Sequence, residues 1–184
     1  MAAPYLLTNQ CCDMRHIVLF IASSIDGYIA RLDGSIDWLF TDEDYGYSEF
    51  YDSIDTTLMG KRTYKDVLSF GEFPYPDKTN YVFTRREGMM DTENVQFITG
   101  SIPAFVRQLK KEDGKDIWLV GGGQINTILL STGLIDRMIL SVHPVILGQG
   151  IPLFGGIPAE THFKLERSQV FPSGLVQLSY KAIN

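Results

Sequence analysis

The 184-residue sequence predicts a three-layer α/β fold, with a mixed, mostly parallel central sheet flanked by helices and a C-terminal antiparallel hairpin. Three observations predict it. His16-Ile17-Val18-Leu19-Phe20-Ile21-Ala22 is β-branched and almost continuously apolar, the mark of a strand covered on both faces and central in its sheet. Extended runs alternate with helical ones across the first three quarters of the chain, which favours parallel pairing through helical crossovers. Residues 163–170 and 175–182 flank Phe171-Pro172-Ser173-Gly174 and read as the closing hairpin.

The remaining elements follow in order. Ser23-Ser24-Ile25-Asp26-Gly27 turns the chain after the first strand, Tyr28-Ile29-Ala30 is a short extended piece, and Asp33-Gly34 turns it again. A short helix is expected over 45–53, a strand over 56–59, and a helix over 61–69 immediately after Gly60. A proline-punctuated loop, Phe73-Pro74-Tyr75-Pro76, leads to short strands over 81–84 and 95–98. Ser101-Ile102-Pro103 opens a helix with an N-cap serine and an early proline, and Ile102, Phe105, Val106 and Leu109 form its apolar stripe. Then come the strand Asp116-Ile117-Trp118-Leu119-Val120, a helix over 124–131 and a strand over 137–142.

Composition narrows the function. A net charge of -6 argues against a general nucleic-acid or anionic-membrane binder, so an anionic ligand needs a local cluster of cations. Cys11 and Cys12 are the only cysteines; being adjacent, they neither staple a fold nor build a four-ligand zinc site. His16, His143 and His162 are scattered, and no metal site is expected. No apolar run approaches the roughly 20 residues that cross a bilayer. The expectation is a cytoplasmic protein with a disordered extension over 1–13 and one domain over 14–184.

Three strand ends carry the chemistry. They give Gly60-Lys61-Arg62-Thr63, Thr84-Arg85-Arg86 and Gly121-Gly122-Gly123-Gln124. Ligands of open α/β sheets bind outside the carboxyl ends of the strands, where glycine lets backbone amides approach phosphate and a helix start adds donors and dipole. Two cation pairs and a glycine turn on one edge suit a dinucleotide with an extra ribose phosphate. A Rossmann fingerprint is absent: the glycines come late and lead into Ile125-Asn126, with no third spaced glycine.

The pattern resembles the dihydrofolate reductase-like fold, most closely the reductase domain related to the C-terminal half of the bacterial riboflavin-biosynthesis deaminase-reductase. The resemblance covers about residues 15–182. It rests on segments 22–30, 58–64, 83–86, 119–125 and 143–154, five pieces in family order, and the stretch at 44–46 is similar to stand-alone members. It implies an NADPH-dependent reductase of a small pterin- or aminopyrimidine-like heterocycle, and a homodimer. Ala22 would meet the nicotinamide carboxamide through its backbone, and Asp26 and Gly27 would belong to a loop over that ring. Gly60, Lys61, Arg62 and Thr63 would hold phosphates, Thr84 and Arg85 the ribose phosphate, and Gly121, Gly122, Gly123, Gln124 and Ile125 the pyrophosphate.

Catalysis is less determined by these residues. Hydride transfer needs a positioned cofactor and a proton source. Dihydrofolate reductases place a carboxylate on the first helix after a Pro-Trp motif; here Asp37-Trp38-Leu39 lacks the proline, and Asp44 matches best by its distance to Gly60. Asp44 reads equally as a charge at the helix N-terminus. A non-catalytic nucleotide-binding module and a genuine dihydrofolate reductase are the alternatives. No H-x-E with P-C-x-x-C is present, so the zinc deaminase half of the bifunctional enzyme is absent.

Overall fold

The first strand, β1 (Ile17–Ser24), runs through the middle of an eight-stranded sheet, as its two-sided apolar sequence requires. The computed structural model describes residues 14–69, 71–156 and 159–183. The tail over 1–13, with Cys11 and Cys12, lies outside the described residues. After β1 come β2 (Tyr28–Ala30), α1 (Tyr47–Ser53), β3 (Ile54–Gly60), α2 (Lys61–Ser69), β4 (Thr79–Phe83), β5 (Gln96–Ile98), α3 (Ile102–Leu109), β6 (Asp116–Gly121) and α4 (Gly123–Ser131). The chain closes with β7 (Arg137–His143), β8 (Ile151–Pro152), β9 (Phe163–Val170) and β10 (Val176–Ala182). Sheet order is β5-β4-β3-β6-β1-β7-β10-β9, parallel from β5 to β7, with the β9–β10 hairpin antiparallel against β7. This is the dihydrofolate reductase-like architecture.

Strand alternation divides the core between two faces. Ile17, Leu19, Leu58, Ile117 and Leu119 pack with Val106 and Leu109 of α3 and Leu129 of α4 on one side. Val18, Met59, Val82 and Trp118 pack with Phe50 of α1 and Tyr75 on the other. Ser101 caps α3 by accepting from the Ala104 N–H, and the stripe expected from the sequence is the one buried against the sheet. Each fully buried leucine, such as Leu58 or Leu129, would cost about 2–5 kcal/mol on truncation to alanine.

One local expectation changes, and another gains its partner. The first helix starts at Tyr47, not at 45, because Tyr45 (φ 52°) and Gly46 (φ 76°) both take left-handed backbone. Tyr45 is held there by tertiary contacts: its hydroxyl joins Asp42 at 2.7 Å and Ser173 at 3.0 Å, and its ring meets Phe171 edge-on. The short piece over 28–30 is a strand of a second, two-stranded sheet, paired antiparallel with β8. Gly150 makes that pairing possible, since a Cβ there would sit 2.4 Å from the Ala30 carbonyl oxygen.

Candidate active-site cleft

Parallel strands bring their carboxyl ends to one edge, and at that edge a cavity of about 1300 Å³ opens. That exceeds the ~300–1000 Å³ usual for one small ligand and leaves room for two. Its lining unites the three segments singled out in the sequence: Gly60 with Lys61, Arg62 and Thr63; Thr84 with Arg85 and Arg86; and Gly122 with Gly123, Gln124 and Ile125. Ala22 lines it as well. Asp26, Gly27, Gly121 and Asp44 are not among the lining residues.

The charge balance of this lining inverts that of the chain. Four cations, Lys61, Arg62, Arg85 and Arg86, meet one acid, Asp66, in a protein of net charge -6. Among the described residues no carboxylate pairs with Lys61, Arg85 or Arg86. Arg62 donates to the Leu32 carbonyl at 3.2 Å and so ties α2 to the loop over 31–46. Thr84 also sets the local shape: its hydroxyl accepts from the Arg86 N–H at 3.0 Å and bends the chain after β4.

The three glycines serve three purposes. Gly121 has φ +111°, a backbone open to glycine. A Cβ on Gly122 would approach Thr63 Oγ1 to 3.1 Å inside the cavity, so its absence keeps the cradle open. A Cβ on Gly123 would stand 2.3 Å from the Pro152 carbonyl oxygen, so this glycine admits the β2–β8 ribbon. Helix α4 begins here without a side-chain cap, its amide end directed to the cleft as an anion site would require.

Asp26 works one layer out. Its carboxylate accepts from Ser24 Oγ at 2.6 Å, Leu147 N–H at 3.1 Å and Gly148 N–H at 2.7 Å, joining the loop after β1 to the loop after β7. The Ser24 bond above all holds it below the ordinary carboxylate range. Gly27 accepts from Leu153 N–H at 2.9 Å and extends the same ribbon. That ribbon walls the cavity with Ile29, Ala30, Gly150, Ile151 and Pro152.

Asp44 stands at the start of α1. It accepts from the Ser48 hydroxyl at 2.7 Å and from the Ser48 N–H at 3.2 Å. These bonds, the hydroxyl first, hold its pKa below the usual carboxylate range, as suits a charge at a helix terminus. What α1 does bring to the cavity is Tyr47, which joins Phe20 and Trp118 in the lining. Phe20 was within reach of sequence reasoning, since it lies two residues before Ala22 on the same strand face. Trp118 shows only through sheet order, which sets β6 beside β1.

His143 shapes the same end from behind. Its Nε2 accepts from the Phe40 N–H at 3.2 Å, its Nδ1 lies 3.2 Å from the Ser141 carbonyl, and its ring meets Trp38 edge-on. Burial pushes its pKa down, so the neutral ring with hydrogen on Nδ1 fits both partners. The loop it anchors supplies Leu32, Ile36 and Leu39 to the cavity. Among the described residues no group of three or more His, Cys, Asp or Glu could hold a metal, and no helix is long and apolar enough to cross a membrane.

The fold has counterparts among known proteins. Dihydrofolate reductase from Enterococcus faecalis, solved with NADP(H) and RAB-propyl, superimposes with a TM-score of 0.70 at 18% identity, covering 92% of this chain and 97% of that one, a likeness of fold. A Shewanella sp. PV-4 protein named for riboflavin biosynthesis reaches a TM-score of 0.81 at 28% identity, over 92% of this chain and 99% of that one. The Bacillus subtilis (strain 168) protein YwjB, described as uncharacterized, is 45% identical over 170 residues, 90% of this chain and 97% of YwjB. The family of the RibD C-terminal domain matches residues 15–177, and the chain belongs to that family.

Proposed function

We propose that the protein is an NADPH-dependent reductase that passes hydride to a small planar heterocycle of pterin or aminopyrimidine type. Membership in the RibD C-terminal domain family supports a reductase-type function. The observation that carries the cofactor is the charge inversion at the cleft, four cations against one acid beside a glycine that leaves the cradle open. These residues fit a nucleotide with three phosphate groups. Lys61, Arg62 and Thr63 would hold phosphates, Thr84 and Arg85 the ribose phosphate, the segment from Gly122 to Ile125 the pyrophosphate, and the Ala22 backbone the carboxamide. Bound there, NADPH supplies the hydride. The protein's own part is to orient the two ligands, exclude water and keep a proton donor near the reduced ring. Asp44 is bonded at the start of its helix and Tyr47 lines the cavity, so that proton would come from Tyr47 or from water.

Titration with NADPH, followed by the fluorescence of Trp118 on the cavity wall, tests the reading. Saturable quenching is expected, and absence of binding at about 1 mM cofactor overturns it.

A further inference from the structure

The cavity straddles the carboxyl edge of the sheet. On the face that carries α3 and α4 its lining includes Ile98, Ile102 and Ile125, beside the glycine turn that opens α4. On the opposite face it runs between α1 and α2. Phe50 of α1 stacks on Phe20 with ring centroids 4.3 Å apart and meets Trp118 edge-on at 5.4 Å, which sets α1 over β1 and β6. Tyr64 of α2 meets Phe97 edge-on at 5.6 Å, which sets α2 over β5. Phe20, Trp118 and Val120 floor this second compartment, with Tyr47 of α1 and with Asp66 and Val67 of α2 at its sides. With the first compartment read as the cofactor site, a reading on which this inference rests, we propose that Asp66 is a specificity-determining residue of the second. Its carboxylate takes N–H or O–H donors of the ligand, so the ring reduced there carries amino or hydroxyl groups toward α2.

Asp66 is the one acid in the lining, and the fold leaves its carboxylate free. Four aspartates are half-buried among the described residues. Asp55 pairs with Arg15, Asp136 pairs with Lys110, and Asp116 accepts the His16 N–H at 3.0 Å. The Asp66 carboxylate alone has no hydrogen bond or ion pair among the described residues. Arg62, four residues earlier and so on the same side of α2, donates to the Leu32 carbonyl at 3.2 Å and forms no ion pair with it. The loop passes Asp66 at Gly34, where a Cβ would lie 3.6 Å from Oδ1, so its absence leaves space over the carboxylate. A polar group withdrawn from water without a partner costs free energy that a ligand's donors recover. An ionised carboxylate only accepts hydrogen bonds, so amino and hydroxyl groups gain charge-assisted bonds there, and a carbonyl or an ether gains none.

Calorimetric titration of the full chain, with and without saturating NADP+, compares two pairs of probes. For amino donors these are 2,4-diaminopyrimidine and 2,4-dimethoxypyrimidine; for hydroxyl donors, uridine and 2′,3′-dideoxyuridine. In the native chain at least one donor-bearing probe should bind about tenfold more tightly than the partner lacking those donors. Asp66→Ala should bring that ratio to within about twofold, and Asp66→Asn, which keeps the shape, should lower it about threefold. NADP+ should bind the Asp66→Ala chain no more weakly, since removing an acid from among cations does not disfavour an anion. The proposal is overturned if neither pair shows a preference, if no probe binds at about 1 mM, or if the preference survives Asp66→Ala. It is overturned too if Asp66→Ala weakens NADP+ more than about threefold, which would put the carboxylate on the cofactor's own hydroxyls. Failure of the native chain to bind NADP+ would instead sink the cofactor reading, and the donor preference is then read on the free chain.

Discussion

Cations at the two ends of the parallel strands lead opposite lives. At the amino ends, Arg15 is buried and pairs with Asp55, with further bonds to the Thr56 hydroxyl at 2.7 Å and the Lys115 carbonyl at 2.6 Å. Lys110, also buried, meets both oxygens of Asp136 at 2.7 and 2.8 Å, and Asp136 accepts the Ile17 N–H at 2.7 Å as well. At the carboxyl ends, Lys61, Arg85 and Arg86 face a cavity and have no carboxylate partner among the described residues. The same residue types therefore fasten the sheet at one end and line a cavity without a carboxylate partner at the other. What separates the two is whether the fold has already satisfied the charge.

Breaking the amino end should cost the most. Asp136→Asn leaves Lys110 buried with its charge uncompensated, and chemical denaturation should register a loss of about 3 kcal/mol. The glycine turn then sharpens the contrast within three residues. Gly123→Ala drives a methyl against the Pro152 carbonyl and should lower stability by about 2 kcal/mol, read from the denaturation midpoint. Gly122→Ala is crowded only by the Thr63 hydroxyl at 3.1 Å, with Ile29 at ordinary contact distance, so it should leave stability within about 0.5 kcal/mol and weaken NADPH several-fold in a fluorescence titration. Arg85→Ala should spare stability likewise and raise the NADPH dissociation constant about tenfold, with NADH little changed. Equal weakening of the two cofactors would remove Arg85 from the ribose phosphate.

The smallest effect is pH-dependent. Burial lowers the His143 pKa from its ordinary 6.5, so the unfolded chain takes the proton first as pH falls below 6.5. Stability is fully present above that value and is lost progressively as pH falls toward the folded one. Thermal unfolding at about pH 7.5 and about pH 5.5 should show the decline, and His143→Asn should flatten it.

Much of this was legible before the fold. The apolar run of β1, the N-cap and stripe of α3, the strand-to-helix junction at Gly60-Lys61 and the three strand ends all appear in the sequence because each depends on local chemistry: two-sided burial, capping, absence of a Cβ. The aromatic end was less legible. Tyr47 sits in a helix whose start is set by Tyr45, and Tyr45 takes its left-handed backbone while bonded to Ser173, 128 residues away. Asp26 illustrates the same limit. The family resemblance implies a loop over the cofactor at Asp26, and only the fold adds its bonds to Leu147 and Gly148, more than 120 residues on, which clasp two loops together.

By itself the sequence determined the α/β class, the order of its elements and a cation-rich edge, since hydrophobic periodicity and strand-end composition are properties of neighbouring residues. Tertiary structure decided which cations remain unsatisfied, which glycine serves the cavity and which the ribbon, and that α1 presents Tyr47 in place of Asp44. Those outcomes depend on partners far along the chain, brought within hydrogen-bonding distance only when β1 settles between β6 and β7.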